Sequence, residues 1–151
     1  MYLDKNLGIL HVKQKNSKEL MNNLIDILEE NNIVKGSFRN AILEREDNYP
    51  TGLEINGYGF AIPHTDGAHV NKSQICYATL VEPVEFRSMT DPNQIINVQM
   101  VFMITMKEAH EQLEMLQNLM SLFQNKNEVH DLLRIEDKEI FKNKLISLGI
   151  Q

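Results

Sequence analysis

The segment from Ile95 to Met106 constrains the fold of this chain more than any other stretch of the sequence. Its second half contains an unbroken apolar run, Met100-Val101-Phe102-Met103-Ile104. A strand with one face in water alternates apolar and polar residues, so this run indicates a central strand that is covered on both faces. Such a strand requires helices on both sides of a sheet, which is the layered arrangement of an α/β domain.

Helical periodicity appears on both sides of this strand. Leucines recur at helical spacing from Leu20 to Leu28, and Asn16 precedes them as a candidate capping residue, so we predict a helix over 17–31. Further helices are predicted for a segment that ends near Arg45 and Glu46, for 109–123, for 127–133 and for 138–148, which Asp137 caps.

The remaining extended segments complete the predicted sheet. Leu53 to Ile62 resembles an irregular extended chain, Ile75 to Val81 is rich in β-forming residues, and Val84 to Phe86 is a short candidate strand. We therefore predict a single α/β domain over residues 1–151, with a mixed β-sheet flanked by helices on both faces. The single cysteine, Cys76, lies in an apolar run and is expected to be a buried, reduced thiol.

Charge and motif content exclude several classes of protein. The net charge of −6 and the pI near 5.3 argue against a nucleic-acid-binding protein, which usually carries a basic face. The first residues lack a signal peptide, and no apolar stretch approaches the ~18 residues of a membrane span, so we expect a cytoplasmic protein without membrane insertion. The glycine-rich nucleotide-binding motifs are absent, so we predict no nucleotide cofactor.

The stretch Gly59-Phe60-Ala61-Ile62-Pro63-His64 carries the first candidate functional residue. Proline lacks an N–H and has a fixed φ, so a sheet ladder is expected to stop at Pro63 and to present His64 at the end of a strand. A neutral imidazole is a nucleophile near neutral pH and can carry a group covalently. The alternative is a histidine that packs in a loop and binds nothing.

Three interpretations of the histidines remain open on the residues alone. The first joins His64 to His110, at the start of a helix, and to Arg45, because helix N-termini and guanidinium groups both favour anions. The second is a metal site of His64, Asp66 and His69, although this spacing matches no common zinc pattern. The third is packing alone, with His110 and Arg45 merely solvated.

Several short blocks occur in order along the chain: Arg45-Glu46 with Pro50-Thr51-Gly52, then Ala61-Ile62-Pro63-His64, then Glu108-Ala109-His110 at the start of a leucine-rich helix. With these blocks, the segment from about Leu20 to Leu145 resembles the enzyme IIA components of the bacterial sugar phosphotransferase system, mannitol/fructose class. The residues around Pro50 and the segment His64-Thr65-Asp66 are most similar to the galactitol branch of the family. Mannitol-type and nitrogen-regulatory relatives usually have glycine directly after the histidine, where this chain has Thr65.

This resemblance implies a phosphocarrier that needs no metal or cofactor. His64 would take a phosphoryl group from phosphorylated HPr on Nε2 and pass it to a cysteine of a IIB component. His110 and Arg45 match the residues that stabilise the phosphoryl group. The membrane component IIC would be reached only indirectly and would select the sugar. The alternative is a regulatory module like the nitrogen-type relatives, which acts by protein binding according to its phosphorylation state.

Apolar surfaces are expected at two places. The core face of the helix over 109–123 is predicted at Leu113, Leu116, Met120 and Phe123. HPr and IIB would have to reach the same nitrogen, so they would share an apolar docking surface. The candidates are Tyr58, Phe60 and the residues after His64, with Met106 and Leu113 further out. Leu113 is a candidate for both surfaces, and the sequence leaves open which of the two it joins.

Overall fold

The computed structural model describes residues 1–151, in which a single sheet is packed between helices. The strands are β1 (Leu7–Val12), β2 (Gly52–Ile55), β3 (Tyr58–Ala61), β4 (Gln74–Arg87) and β5 (Ile95–Thr105). The helices are α1 (Ser17–Glu30), α2 (Phe38–Asn48), α3 (Ala109–Phe123), α4 (Lys126–Arg134) and α5 (Lys138–Ser147), and a 3₁₀ turn spans Gly67–His69. None of the helices combines the length and the apolar character that crossing a membrane requires.

The sheet is mixed, and its strand order is β1-β4-β5-β3-β2. Strand β1 runs parallel to β4, and β3 runs parallel to β5. The pairs β4–β5 and β2–β3 are antiparallel. Because β3 and β5 are parallel neighbours, their carboxyl ends meet at the same edge of the sheet. This edge carries the segments that follow both strands, and it therefore decides which of the predicted site residues come together.

Each face of the sheet is covered by its own hydrophobic layer. Along β4, Cys76 and Ala78 pack into the cluster that α1 and α2 cover. The intervening residues Ile75 and Tyr77 pack into the cluster that α3, α4 and α5 cover. Strand side chains alternate between faces, so β4 supplies both layers at once. The predicted mixed sheet with helices on both faces is confirmed, and so is the burial of the free thiol of Cys76.

The strand predictions need three corrections. The sequence did not indicate β1, an edge strand whose register breaks between Ile9 and Val12 at a residue with positive φ, His11. The irregular chain predicted over Leu53–Ile62 is wrong, because β2 and β3 form a hairpin there. Its turn is Asn56-Gly57 with both φ values positive, a pairing that favours a tight hairpin.

The third correction concerns β4. The predicted strands Ile75–Val81 and Val84–Phe86 are one continuous strand with an irregular register between Thr79 and Val84. Pro83 lies exposed within the irregular segment, where its missing N–H costs no ladder hydrogen bond. Glu82 and Pro83, which the prediction left outside both candidates, belong to this one strand.

The predicted helices are all present, with changes at two of them. Helix α2 extends to Asn48, beyond the predicted end near Arg45 and Glu46. The predicted core face of α3 is wrong in part, since Leu113 is 60% exposed. The same helix has two adjacent apolar stripes at helical spacing, and the sequence cannot tell which one faces the sheet. Of the other predicted residues, Phe123 is buried, and Leu116 and Met120 pack partly buried against the core. The helix also buries Met115, Leu119 and Leu122.

The predicted caps of α1 and α5 are confirmed. The Asn16 side chain accepts a hydrogen bond from the backbone N–H of Glu19 at 2.9 Å. The Asp137 carboxylate accepts from the N–H groups of Glu139 and Ile140 at 2.9 and 3.0 Å. These bonds satisfy donors that a helix leaves free in its first turn, so both helices begin where the sequence predicted.

Candidate active site

His64 lies where the chain leaves the sheet after β3. The carbonyl of Pro63 still accepts a hydrogen bond from the N–H of Ile104 in β5, at 3.1 Å. The segment through Pro63 is therefore held beside the central strand, and His64 is the first residue beyond it. Its side chain is partly buried, so one side of the ring is fixed by protein while the other can meet a partner.

The ring of His64 is fixed in one tautomer by the backbone. Nδ1 lies 2.8 Å from the carbonyl oxygen of Ile62. Because a carbonyl can only accept, Nδ1 carries the proton and Nε2 of the neutral ring keeps its lone pair. Burial lowers the pKa of His64 below its usual value, and the positive charge of Arg45 lowers it further. At neutral pH the site therefore presents an unprotonated Nε2 beside a guanidinium.

Arg45 is brought to His64 by the last turn of α2. Its guanidinium is exposed and lies 5.5 Å from the ring centroid of Tyr49, a cation–π distance that restricts the side chain. The charge of Arg45 acts on the pKa of His64, so the two groups share one electrostatic environment. Such a guanidinium can balance the charge of an anion on the imidazole.

His110 is the second residue of α3, as predicted for a first-turn residue, and its side chain is exposed. No hydrogen bond joins it to His64. The two residues are linked through their loops, because a Cβ on Gly67 would overlap the carbonyl oxygen of Lys107. The loop after β3 therefore lies against the loop before α3, and His110 follows that second loop in the first turn of its helix.

Sequence reasoning gave no role to two polar residues that lie behind His64. Thr51 is buried, and its backbone N–H and hydroxyl donate to the two carboxylate oxygens of Glu46 at 2.8 and 2.9 Å. The Thr51 hydroxyl also accepts from the N–H of Ile62 at 3.1 Å. Burial raises the pKa of Glu46 to about 7. Both residues belong to the short segments Arg45-Glu46 and Pro50-Thr51-Gly52. Only the fold reveals that their side chains face inward.

The metal interpretation finds no support in the geometry. His69 directs Nδ1 to the hydroxyl of Ser37 at 2.8 Å and places Nε2 3.6 Å from the carboxylate of Asp66. His64 uses Nδ1 on a backbone carbonyl. No group of histidine, cysteine, aspartate or glutamate side chains in the molecule is arranged to hold a metal ion. The segment 66–69 is instead a turn fastened to the loop before α2.

The predicted docking surface needs revision. Phe60 and Met106 are fully or almost fully buried, so they belong to the core and cannot contact a partner. Leu113 is exposed on the first half of α3. Tyr58 is partly exposed, but it begins β3, and its hydroxyl pairs with His130 at 3.0 Å. Leu113 is the candidate that lies beside His110.

Comparisons with known proteins agree with this fold. The family model "Phosphoenolpyruvate-dependent sugar phosphotransferase system, EIIA 2" matches residues 1–147. The galactitol-specific EIIA component of Escherichia coli K12 is 25% identical over 108 residues, which are 72% of this chain and 71% of that protein.

Solved structures share the architecture along nearly the whole chain. A putative phosphotransferase IIA protein of Streptococcus mutans has a TM-score of 0.80 at 22% identity, covering 98% of this chain and 92% of that one. The nitrogen regulatory protein IIA-Ntr of Neisseria meningitidis has a TM-score of 0.75 at 25% identity, with 93% of each chain covered. Mannitol enzyme IIA of E. coli, solved in complex with phosphorylated IIB, has a TM-score of 0.72 at 18% identity, with 95% and 93% covered. The chain therefore belongs to the EIIA 2 family of the phosphoenolpyruvate-dependent sugar phosphotransferase system, as a phosphoryl-transfer component with galactitol-specific relatives.

Proposed function

We propose that this protein accepts a phosphoryl group from phosphorylated HPr on Nε2 of His64 and passes it to a cysteine of a IIB component. The observation that carries the proposal is the hydrogen bond from Nδ1 of His64 to the carbonyl of Ile62. It leaves Nε2 with a lone pair in a ring whose pKa is lowered by burial and by the charge of Arg45. Such a nitrogen is a nucleophile at cytoplasmic pH, and we place the protein in the cytoplasm.

The transfer balances without a cofactor. Nε2 attacks phosphorus in line, the bond from phosphorus to HPr breaks, and HPr keeps the electron pair of that bond. The His64 ring then bears the phosphoryl group on Nε2 and its original proton on Nδ1, so it becomes an imidazolium. The carbonyl of Ile62 stabilises that positive ring through the same hydrogen bond. In the second step a thiolate of IIB attacks phosphorus, and the electron pair returns to Nε2.

Arg45 and His110 are proposed to support both steps without carrying the phosphoryl group. Phosphorylation adds close to two negative charges, and Arg45 already lies in the electrostatic environment of His64. His110 lies in the first turn of α3, where free N–H groups and the helix dipole also favour an anion. Phosphoryl transfer depends on positioning and charge stabilisation, so groups at these places are what the chemistry requires.

The proposed two-step transfer implies two protein partners. HPr is the proposed donor, and a IIB component is the proposed acceptor; the mannitol enzyme IIA of E. coli has been solved with phosphorylated IIB. Exposed Leu113 is proposed to form part of the surface that both partners contact in turn. The sugar is proposed to be galactitol or a similar hexitol, because galactitol-specific EIIA components are relatives of this chain. IIC would be served only through IIB.

The test is incubation with phosphoenolpyruvate, enzyme I and HPr, followed by measurement of the intact mass. The wild-type chain should gain one phosphoryl group that is lost in acid and survives alkali. The His64→Ala variant should gain none, whereas His69→Ala, which alters a histidine in the adjoining turn, should be labelled. Full labelling of the His64→Ala variant, or an acid-stable phosphate, refutes the proposal.

A regulatory role is the second candidate function, and the observation that favours it is the similarity to IIA-Ntr. Such a module would be phosphorylated at His64 but would act by binding other proteins. Single-turnover transfer from phosphorylated His64 to the cognate IIB separates the two. Rapid loss of the label to IIB supports transport, and retention of the label in its presence supports regulation.

A further inference from the structure

Glu46 and Thr51 form a hydrogen-bonded chain that ends at the ring of His64. The Glu46 carboxylate accepts from both donors of Thr51, and the Thr51 hydroxyl accepts from the N–H of Ile62. The carbonyl of the same residue, Ile62, accepts from Nδ1 of His64 at 2.8 Å. The Thr51 hydroxyl and the His64 ring therefore bind the N–H and the carbonyl of the same residue, Ile62, and this carbonyl fixes the tautomer of His64.

When Glu46 is ionised, each bond in this chain has a defined direction. The Thr51 hydroxyl accepts from the N–H of Ile62 and donates its proton to one carboxylate oxygen of Glu46. The Thr51 N–H donates to the other oxygen. A carboxylate can accept at both oxygens, whereas the amide of a glutamine can accept at only one.

The hydrogen bond from Ile62 to Thr51 takes the place of a strand-to-strand hydrogen bond where the hairpin of β2 and β3 ends. The last paired residues of β2 and β3 are Gly52 and Ala61. Thr51 and Ile62 are the next two residues outward, and the threonine side chain takes the N–H of Ile62. Pro63 follows with its fixed φ and is held to β5 by its carbonyl. The peptide that carries the acceptor for His64 is therefore fixed on both sides.

We propose that Glu46 and Thr51 are positioning residues that hold the Ile62 carbonyl against Nδ1 of His64 and so keep Nε2 free to accept the phosphoryl group. This inference rests on the proposed function of His64. Neither residue touches the phosphoryl group. Their effect is to fix the tautomer and the ring orientation, on which the in-line geometry depends.

The readout is the protonation of the His64 ring, observed by long-range ¹H–¹⁵N correlation at about pH 8, where the imidazole is neutral. In the wild-type chain, Nδ1 should have the shift of a protonated nitrogen and Nε2 that of an unprotonated one. In Thr51→Val, both shifts should move toward each other as the two tautomers exchange. Thr51→Ser retains the hydroxyl and should restore the wild-type shifts.

Glu46→Gln conserves side-chain volume but leaves one of the two Thr51 donors without an acceptor, so it should move the shifts in the same direction. Glu44→Gln changes an exposed carboxylate on the same helix and serves as the matched control. Phosphoryl acceptance from HPr should fall about tenfold in Thr51→Val, the usual effect of losing one hydrogen bond, and should remain unchanged in Glu44→Gln.

Wild-type ring shifts in a folded Thr51→Val chain would overturn the positioning role, since a merely structural pair would change stability alone. Should Thr51→Val not fold, the ring shifts of Glu46→Gln decide by the same criterion. Different results refute the proposed function of His64 and the positioning role of Glu46 and Thr51. Absence of any phosphoryl group on wild-type His64 refutes the proposed function, whereas the ring shifts are measured without phosphorylation and judge the positioning role alone.

Discussion

At the scale of single residues, the environment of His64 combines two demands that oppose each other. In the proposed reaction the ring must be neutral to attack phosphorus, yet it must tolerate positive charge once it carries the phosphoryl group. Burial and the charge of Arg45 serve the first demand by lowering the pKa of His64. The carbonyl of Ile62, which accepts from the protonated Nδ1, would serve the second.

The first prediction concerns the pH dependence of phosphoryl acceptance. The reactive form is the neutral ring, and a lowered pKa keeps the ring neutral to a more acidic pH. The rate should therefore decline only below the ordinary histidine pKa of about 6.5. Titration of the His64 ring by NMR should give the same value as the rate profile. A midpoint above the ordinary value would contradict the role assigned to burial.

The second prediction concerns His110. His110→Ala should still accept the phosphoryl group but should pass it slowly to IIB, because the donor would act on developing charge. Loss of one charge-assisted hydrogen bond costs about 1.5–3 kcal/mol, which corresponds to roughly 10- to 150-fold in rate. Arg45→Ala should slow the transfer by a similar factor, since both side chains are exposed.

The measurement is single-turnover transfer from phosphorylated His64 to IIB at matched folding. His130→Ala is the control, because His130 is an exposed histidine on α4 that forms a hydrogen bond with the hydroxyl of Tyr58. If His110→Ala transfers at the wild-type rate, His110 is only a solvated residue of the first turn.

At the scale of elements, the site depends on the contact between two loops. The loop after β3 carries His64 and the segment before α3 leads to His110. Gly67 meets the backbone of Lys107 so closely that any Cβ would overlap its carbonyl oxygen. Glu111 fastens the same helix start by accepting from the backbone N–H of Glu108 at 3.2 Å. Parallel pairing of β3 and β5 brings the loops to one edge, and the glycine lets them touch.

The third prediction is that Gly67→Ala separates these loops. The added methyl group must displace backbone, so the free energy of unfolding should fall by about 1–3 kcal/mol. Transfer to IIB should slow by more than this loss of stability explains, because His110 would move away from His64. Gly36→Ala is the matched control, since a Cβ there meets nothing within 4 Å. Equal behaviour of the two variants in denaturant titrations and transfer assays would refute the prediction.

At the scale of the whole molecule, a buried carboxyl at the site affects global stability. Burial raises the pKa of Glu46 from 4.5 to about 7, with Asp47 raising it and Arg45 and the Thr51 bonds lowering it. Between these two values the folded chain binds more protons than the unfolded chain, so stability falls as pH rises. Ionisation of the buried Glu46 carboxyl beside Thr51 therefore lowers the free energy of unfolding near neutral pH.

The fourth prediction follows from this linkage. The shift of Glu46 to about 7 corresponds to a loss of roughly 3 kcal/mol in the free energy of unfolding as pH rises from 4.5 to 7. His64 acts in the opposite sense, since its lowered pKa favours the folded chain as pH rises toward the ordinary value. The difference between the wild-type chain and Glu46→Gln isolates the carboxyl.

Denaturant titrations across this range should give a flatter or rising stability in Glu46→Gln, whereas Glu44→Gln, at an exposed carboxylate of the same helix, should follow the wild-type slope. A Glu46→Gln chain with the wild-type slope would mean that the carboxyl titrates near its ordinary pKa in the folded state.

Features that depend on short stretches of chain could be predicted from the sequence alone. The apolar run in β5 predicted a strand covered on both faces, and the caps Asn16 and Asp137 predicted where α1 and α5 begin. Pro63 and His64 predicted a strand that ends at an imidazole. Each of these signals is local, because periodicity, capping and proline geometry act within a few residues of one another.

Other features depend on packing between distant segments. Helix α3 carries apolar residues on more than one side, and its contact with the sheet buries Met115 while Leu113 stays exposed. Glu46 is one charged residue among several in α2 until the hairpin places Thr51 beside its carboxylate. The tautomer of His64 likewise depends on where the Ile62 carbonyl lies. A sequence records which groups are available, but their pairing across the fold sets burial, proton position and hence reactivity.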